Sequence, residues 1–160
     1  MKELRFESII QEYENENLLP PDTKKLLETA KENLKNSYSP YSKFKVSCAV
    51  LLDNGEVVIG TNQENIAYPS GLCAERVALF AAGTQYPNAK PLMMAITAQS
   101  EKGVLNHAPA SCGACLQVMA EAEMRFKQPI TVILAGQEGA VRVAHGVKTF
   151  MPWQFETDLV

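Results

Sequence analysis

The chain has 160 residues, 46% of them hydrophobic, with 15 Lys and Arg against 18 Asp and Glu, a formal net charge of −3 and an isoelectric point near 5.5. That length suits one domain able to bury about two thirds of the surface its unfolded chain exposes, and the acidic balance offers no basic footprint for a nucleic-acid polymer. The longest apolar runs are well short of a membrane span, and MKELRFESII lacks the charged-then-apolar layout of a signal peptide; the expected setting is cytoplasmic, where cysteines are metal-bound or buried more often than disulfide-bonded.

The chain opens with Leu4, Phe6 and Ser8 facing one way and Arg5 and Glu7 the other, a period of two that predicts a short strand. Tyr13 to Asn17 is an acidic connection, and Pro20-Pro21-Asp22 starts a helix with Leu26, Leu27, Ala30 and Leu34 on its apolar face, ended by Ser37 to Tyr41. The run Val46 to Leu52, the turn Asp53-Asn54-Gly55 and the run Glu56 to Thr61 predict a hairpin, because Asn-Gly takes the left-handed backbone that a tight connection requires. Cys48, inside that apolar run, is expected to be a small core residue. Leu72, Val77, Leu79, Phe80, Ala81 and Ala82 predict a helix over 72–83 with Gly83 at its C-cap. Leu92 to Ala98 is nearly all apolar and reads as a strand buried on both faces. A helix from about Cys112 to Lys127, a strand Ile130 to Leu134 and, after Gly136 to Gly139, a short strand Val141 to Ala144 complete the order. This order predicts an α/β fold of three layers, α/β/α, with a central mixed sheet and helices on both faces. Residues 1–37 form an outer layer of the same domain and 38–160 its core.

The chemistry gathers in two stretches. NQENIAYPSGLCAER, Asn62 to Arg76, puts a thiol, a carboxylate and a guanidinium within four residues at a helix start, where free N–H groups and the positive end of the helix dipole favour a thiolate at Cys73. Some forty residues on, Cys112 and Cys115 flank Gly113 and Ala114. A C-x-x-C pair can be a redox couple, but that leaves Cys73 and Glu75 unexplained, whereas a zinc site uses all four residues. Three sulfurs leave one position of a tetrahedral metal open, the mark of a catalytic site.

Cys73-Ala74-Glu75-Arg76 with Cys112-Gly113-Ala114-Cys115 resembles the single-domain cytidine deaminases whose zinc is held by three cysteines. YSPYSKFKV (38–46), Asn62 with Glu64, Tyr68-Pro69 and FMPWQF (150–155) fit the same family. The resemblance implies Zn²⁺ on Cys73, Cys112 and Cys115, Glu75 as the single proton carrier, and Arg76 hydrogen-bonded to the thiolates to balance their charge. It further implies Asn62 and Glu64 on the ribose 3′-hydroxyl, alternating on one face of a strand end, Phe44 packed on the pyrimidine, and Ala74 in contact with substrate. The reaction it implies is hydrolysis of cytidine and 2′-deoxycytidine to uridine and 2′-deoxyuridine with release of ammonia, in pyrimidine salvage. The assembly implied is a homotetramer in which Tyr68 and Phe155 reach a neighbouring active site, in keeping with an aromatic tail, Phe150, Trp153 and Phe155, that a monomer would have little reason to expose. Three departures stand out: Ser111 replaces the family's Pro before the first cysteine of the pair, Leu116 replaces the Arg after the second, and Ile66 replaces a small residue. Two alternatives stay open: a deaminase of a modified nucleoside of the blasticidin type, and a closed structural zinc site with His107 as fourth ligand.

Overall fold

The structure is a computed structural model and describes residues 1–155, so the last five residues of the expected 38–160 core lie outside the described residues. In chain order the elements are β1 (Gln11–Tyr13), α1 (Pro21–Glu32), β2 (Phe44–Leu52), β3 (Val57–Thr61), α2 (Ala74–Gln85), β4 (Pro91–Ser100), α3 (Gly113–Phe126), β5 (Thr131–Ala135) and β6 (Val141–His145). The strands form one mixed sheet in the order β1-β6-β5-β4-β2-β3. All neighbours are antiparallel except β4 and β5, which run parallel because α3 carries the chain back between them.

The helices divide between the faces. Alternate residues of a strand point to opposite sides, so Ala49, Ala95 and Ile133 pack with Leu26, Leu27 and Ala30 of α1 on one face. Cys48, Val50, Met94, Ile96 and Val132 pack with Ala78 and Ala82 of α2 and Met119 and Ala120 of α3 on the other. Three layers result, and β4, expected to be buried on both faces, has Met94 to Ala98 wholly inside. Cys48 is a fully buried core residue, its thiol pushed well up, first by burial and then by the Glu75 charge. The hairpin forms as expected, with Gly55 at φ +86° and the Asn54 side chain accepting from the Glu56 N–H.

Three local expectations change. No strand forms over Leu4 to Ser8; β1 begins at Gln11 and pairs Gln11 to Tyr13 with Val141 to Val143. Alternation needs a neighbouring strand to bury its apolar face, and Leu4, Phe6 and Ile9 have none and stay exposed. The helix expected over 72–83 runs Ala74–Gln85: Cys73 has extended backbone (ψ 152°) and is the N-cap, and Gly83 lies inside the helix. It ends at Tyr86, whose position before Pro87 disfavours helical backbone. In the tail, Phe150 is half-buried against the core, leaving Trp153 and Phe155 as the exposed aromatics.

Glu123, in α3, ties the far end of the sheet: its Oε1 accepts from the Ile130 and Val147 N–H groups at 2.7 and 3.0 Å. No helix among the described residues is long and apolar enough to cross a membrane.

Candidate active site

The site forms where two helices start side by side. α2 lies flush on β3 because residue 60 is glycine: a Cβ there would stand 2.3 Å from the Ala78 nitrogen and 2.4 Å from the Ala74 carbonyl oxygen. That close approach sets Cys73, N-cap of α2, beside Cys112, N-cap of α3, with Cys115 one turn into α3. The sulfurs of Cys73 and Cys112 are 4.0 Å apart, those of Cys112 and Cys115 3.5 Å, and all three lie within 4.8 Å of one another. Tetrahedral zinc with sulfurs at about 2.3 Å separates them by about 3.8 Å, so the donor set and its spacing fit that metal. Neither helix has a side chain capping its first turn, and the unpaired N–H groups there add positive potential around the sulfurs. All four cysteines are free thiols.

The electrostatics favour a thiolate at Cys73. Its pKa falls to about 6, first because the Cys115 thiol donates to its sulfur and then because Arg76 does, with Nη2 at 3.8 Å. Cys115 shifts upward for the complementary reason, holding its proton against the Cys73 sulfur, inside the fold and near Glu75. Arg76 is held charged by the same thiolate, and its Nε is buried without a hydrogen-bond partner. Glu75, in the first turn of α2, is only 5% exposed.

A cavity of about 670 Å³ opens in front of the sulfurs, with Cys73, Cys112, Glu75 and Arg76 on its floor and Phe44, Asn62, Glu64 and Tyr68 among its walls. The Asn62 amide is held at both ends: Oδ1 accepts from Val46 N–H and the Ser37 hydroxyl, and Nδ2 donates to the Phe44 carbonyl at 2.9 Å. It therefore ties the end of β3 to the start of β2. Glu64 receives the Tyr41 and Ser42 N–H groups on Oε2 at 2.9 and 3.2 Å; its pKa is lowered, first by the Ser42 side chain, then by those N–H groups and nearby Lys43. Tyr41 and Tyr68 meet edge to face at 6.1 Å on the rim, and Tyr68 is 75% exposed.

Two expected residues stand apart. Ala74, the first residue of α2, is fully buried against Gly60 and does not line the cavity, so its side chain is a spacer. Phe155 is 75% exposed and lies outside this cavity, its carbonyl accepting from Gln117 Nε2 at 3.3 Å. His107 is not in the metal-capable group among the described residues; its carbonyl faces the 136–139 turn. Of the departures, Leu116 packs against the core, Ser111 has its hydroxyl buried without a partner, and Ile66 is 82% exposed, away from the cavity lining.

Sequence reasoning missed the opposite wall, Pro109 and Ala110, and the backbone donors of Tyr41 and Ser42. The only signal for the first was the length of connection between β4 and α3; the second carried none, because Tyr41 and Ser42 lie more than twenty residues from Glu64 in the sequence.

Known proteins agree with this geometry. The model of the cytidine and deoxycytidylate deaminase zinc-binding region matches residues 20–128. A cytidine deaminase of Halalkalibacterium halodurans is 38% identical over 100 residues, 62% of this chain and 71% of that one, and one of Sporosarcina psychrophila is 39% identical over 100 residues, 62% and 69%. The crystal structure of cytidine deaminase from Burkholderia pseudomallei superposes with a TM-score of 0.69 at 35% identity over 82% of this chain and 97% of that chain. That from Mycobacterium tuberculosis gives 0.66 at 27% identity over 86% and 100%. The family region covers both cysteine-bearing helix starts and the strands β2, β3 and β4, and the chain belongs to the cytidine and deoxycytidylate deaminase family.

Proposed function

We propose that the chain is a zinc-dependent hydrolase that converts cytidine and 2′-deoxycytidine to uridine and 2′-deoxyuridine with release of ammonia. The observation that carries this reading is a buried carboxylate, Glu75, facing the same cavity as the sulfurs of Cys73 and Cys112. Cys73, Cys112 and Cys115 would hold the ion, which when bound supplies the Lewis acidity that makes water nucleophilic near neutral pH. Glu75 takes a proton from the attacking water and delivers it to ring nitrogen 3 as oxygen bonds to ring carbon 4. It then moves the remaining hydroxyl proton to the amine, which leaves as ammonia. One carboxylate suffices because each proton it accepts is passed on within the same turnover. With Leu116 where the family has a second arginine, compensation of three thiolates falls to Arg76 and the two helix starts.

Phe44 packs on the pyrimidine, and Asn62 and Glu64 meet the ribose 3′-hydroxyl, with Asn62 also tying the end of β3 to the start of β2. Ala74 meets the substrate through its backbone. The family includes deoxycytidylate as well as cytidine deaminases, and the cavity favours the unphosphorylated substrate. Its only lining cation among the described residues is Arg76, directed at Cys73, while the ionised Glu64 stands at the wall and would repel a phosphate. The test is the loss of ultraviolet absorbance with cytidine, deoxycytidine, deoxycytidylate and blasticidin S. Turnover of the two nucleosides well above the other two is expected; deoxycytidylate as the best substrate, or no turnover of any nucleoside, would overturn the assignment.

The exposed Tyr68 and Phe155 support a homotetramer whose neighbouring subunits complete each site. Light scattering under assay conditions decides it, and a fully active monomer would end the idea.

A further inference from the structure

Residues 101–111 join β4 to α3 and carry three parts of the site region: Ala108 enters the core, Pro109 and Ala110 wall the cavity, and the segment ends by delivering Cys112. It is held from the turn between β5 and β6. Gln137 Oε1 accepts from the Ser100 N–H at 3.2 Å and the Leu105 N–H at 3.0 Å, pinching the two ends of an exposed turn together. The Gln137 N–H donates back to the Leu105 carbonyl at 2.7 Å, and the Glu138 N–H joins it at 3.3 Å. A Cβ on Gly136 would stand 2.5 Å from the Leu105 oxygen and 2.7 Å from the His107 oxygen; one on Gly139, at φ +86°, would stand 2.5 Å from the Asn106 oxygen. Backbone lies on backbone over Leu105 to His107, leaving no space for a side chain at either glycine. From below, the Thr97 hydroxyl donates to the Gly136 carbonyl at 3.5 Å, fixing the turn to β4.

We propose that Gln137 is a positioning residue for the deaminase cavity, setting Pro109 and Ala110 from the turn between β5 and β6. Residues 101–104 are exposed and bring little apolar burial of their own, so directional hydrogen bonds determine where the segment lies. Gln137 is the one side chain from the turn that makes such a bond to it, its single oxygen taking the Leu105 N–H of the segment together with the Ser100 N–H at the end of β4. Pro109 follows His107 by two residues, a reach of about 7 Å at full extension, so displacement at Leu105 to His107 moves the wall. Gln137 itself does not line the cavity. The kinetic consequence rests on the proposed deamination; the structural claim stands apart from it.

The experiment compares Gln137→Leu, which removes the acceptor, with Gln137→Glu, which keeps it, and with the milder Gln137→Asn, which draws it back by about 1.5 Å. Hydrogen exchange over 101–111, bound zinc, and kcat and KM for cytidine are measured on each. Leu is expected to speed exchange at 101–111, keep one zinc per chain and raise KM on the order of tenfold or more with a smaller loss in kcat; Asn gives the same pattern in smaller measure, and Glu restores the parent. Unchanged exchange in both Leu and Asn variants, faster exchange with unchanged kinetics, or a Glu variant no better than Leu would each overturn the proposal. A Leu variant that fails to fold leaves the Asn and Glu pair to decide. A parent inactive on nucleosides would defeat the deaminase reading, and exchange alone would then decide whether Gln137 holds the segment.

Discussion

The two faces of the sheet are built from the same strands and covered by helices, yet one face carries chemistry and the other only packing. The difference lies in how the helices begin. α1 starts at Pro20-Pro21, with φ preset and one N–H already removed, and presents Leu26, Leu27 and Ala30 to the strands. α2 and α3 start at Cys73 and Cys112, so the first-turn donors that proline helps to silence in α1 surround sulfur instead. The same local geometry serves folding on one face and charge stabilisation on the other, and the N-cap residue makes the distinction.

That contrast can be broken by substitutions on each side. The largest effect is expected from Cys115→Ala: metal bound per chain falls to background, measured by metal analysis after desalting, and cytidine turnover falls with it. Retention of one tightly bound metal would show that the three-sulfur group is not the site. On the α1 face, Leu27→Ala should cost about 2–5 kcal/mol in denaturant unfolding, since the side chain is fully buried, while metal content per folded chain stays at the parent level. A variant that lost metal while folded would mean that the two faces are not separable.

A smaller effect is expected at Glu123, which ties α3 to the start of β5. Glu123→Ala should cost about 1–3 kcal/mol by leaving the Ile130 and Val147 N–H groups without their acceptor. Burial holds this carboxyl above its ordinary value of 4.5, against the pull of those two N–H groups and Lys148. The folded chain therefore keeps the proton longer than the unfolded chain. Its contribution is present below about the ordinary value and is lost as pH rises through the raised one. Urea unfolding of the parent and of Glu123→Gln at stepped pH checks the sign: the parent's stability relative to the variant should decline from pH 4.5 upward. A difference that is flat or grows with pH would contradict it.

What could be seen in the sequence was local or motif-borne. Asn54-Gly55 required a turn, the Leu26, Leu27 and Ala30 stripe required a helix face, and the Cys73 and Cys112 stretches named the site before any geometry was known. What could not be seen depends on strands distant in sequence. Leu4, Phe6 and Ser8 alternate as a strand would, but β6 pairs with Gln11 to Tyr13 instead. Asn62 was expected only on a ribose, whereas its amide also ties β3 to β2, a bond that requires Val46 and Phe44 to lie alongside. Gly60 looked like an ordinary strand residue, and only the approach of Ala74 and Ala78 shows why a side chain has no room there. Gln137 carried no motif, because its partners, Ser100 and Leu105, are more than thirty residues away.

The central claim is that Glu75 carries protons beside a metal held by Cys73, Cys112 and Cys115, and the most direct measurement is cytidine turnover by the parent and by Glu75→Gln at matched zinc occupancy. Gln keeps the shape and cannot shuttle a proton, so turnover should fall by about 10⁴-fold or more, with zinc content and thermal stability close to those of the parent. A variant within about tenfold of an active parent leaves less than about 1.4 kcal/mol of barrier for the carboxylate and would contradict the account.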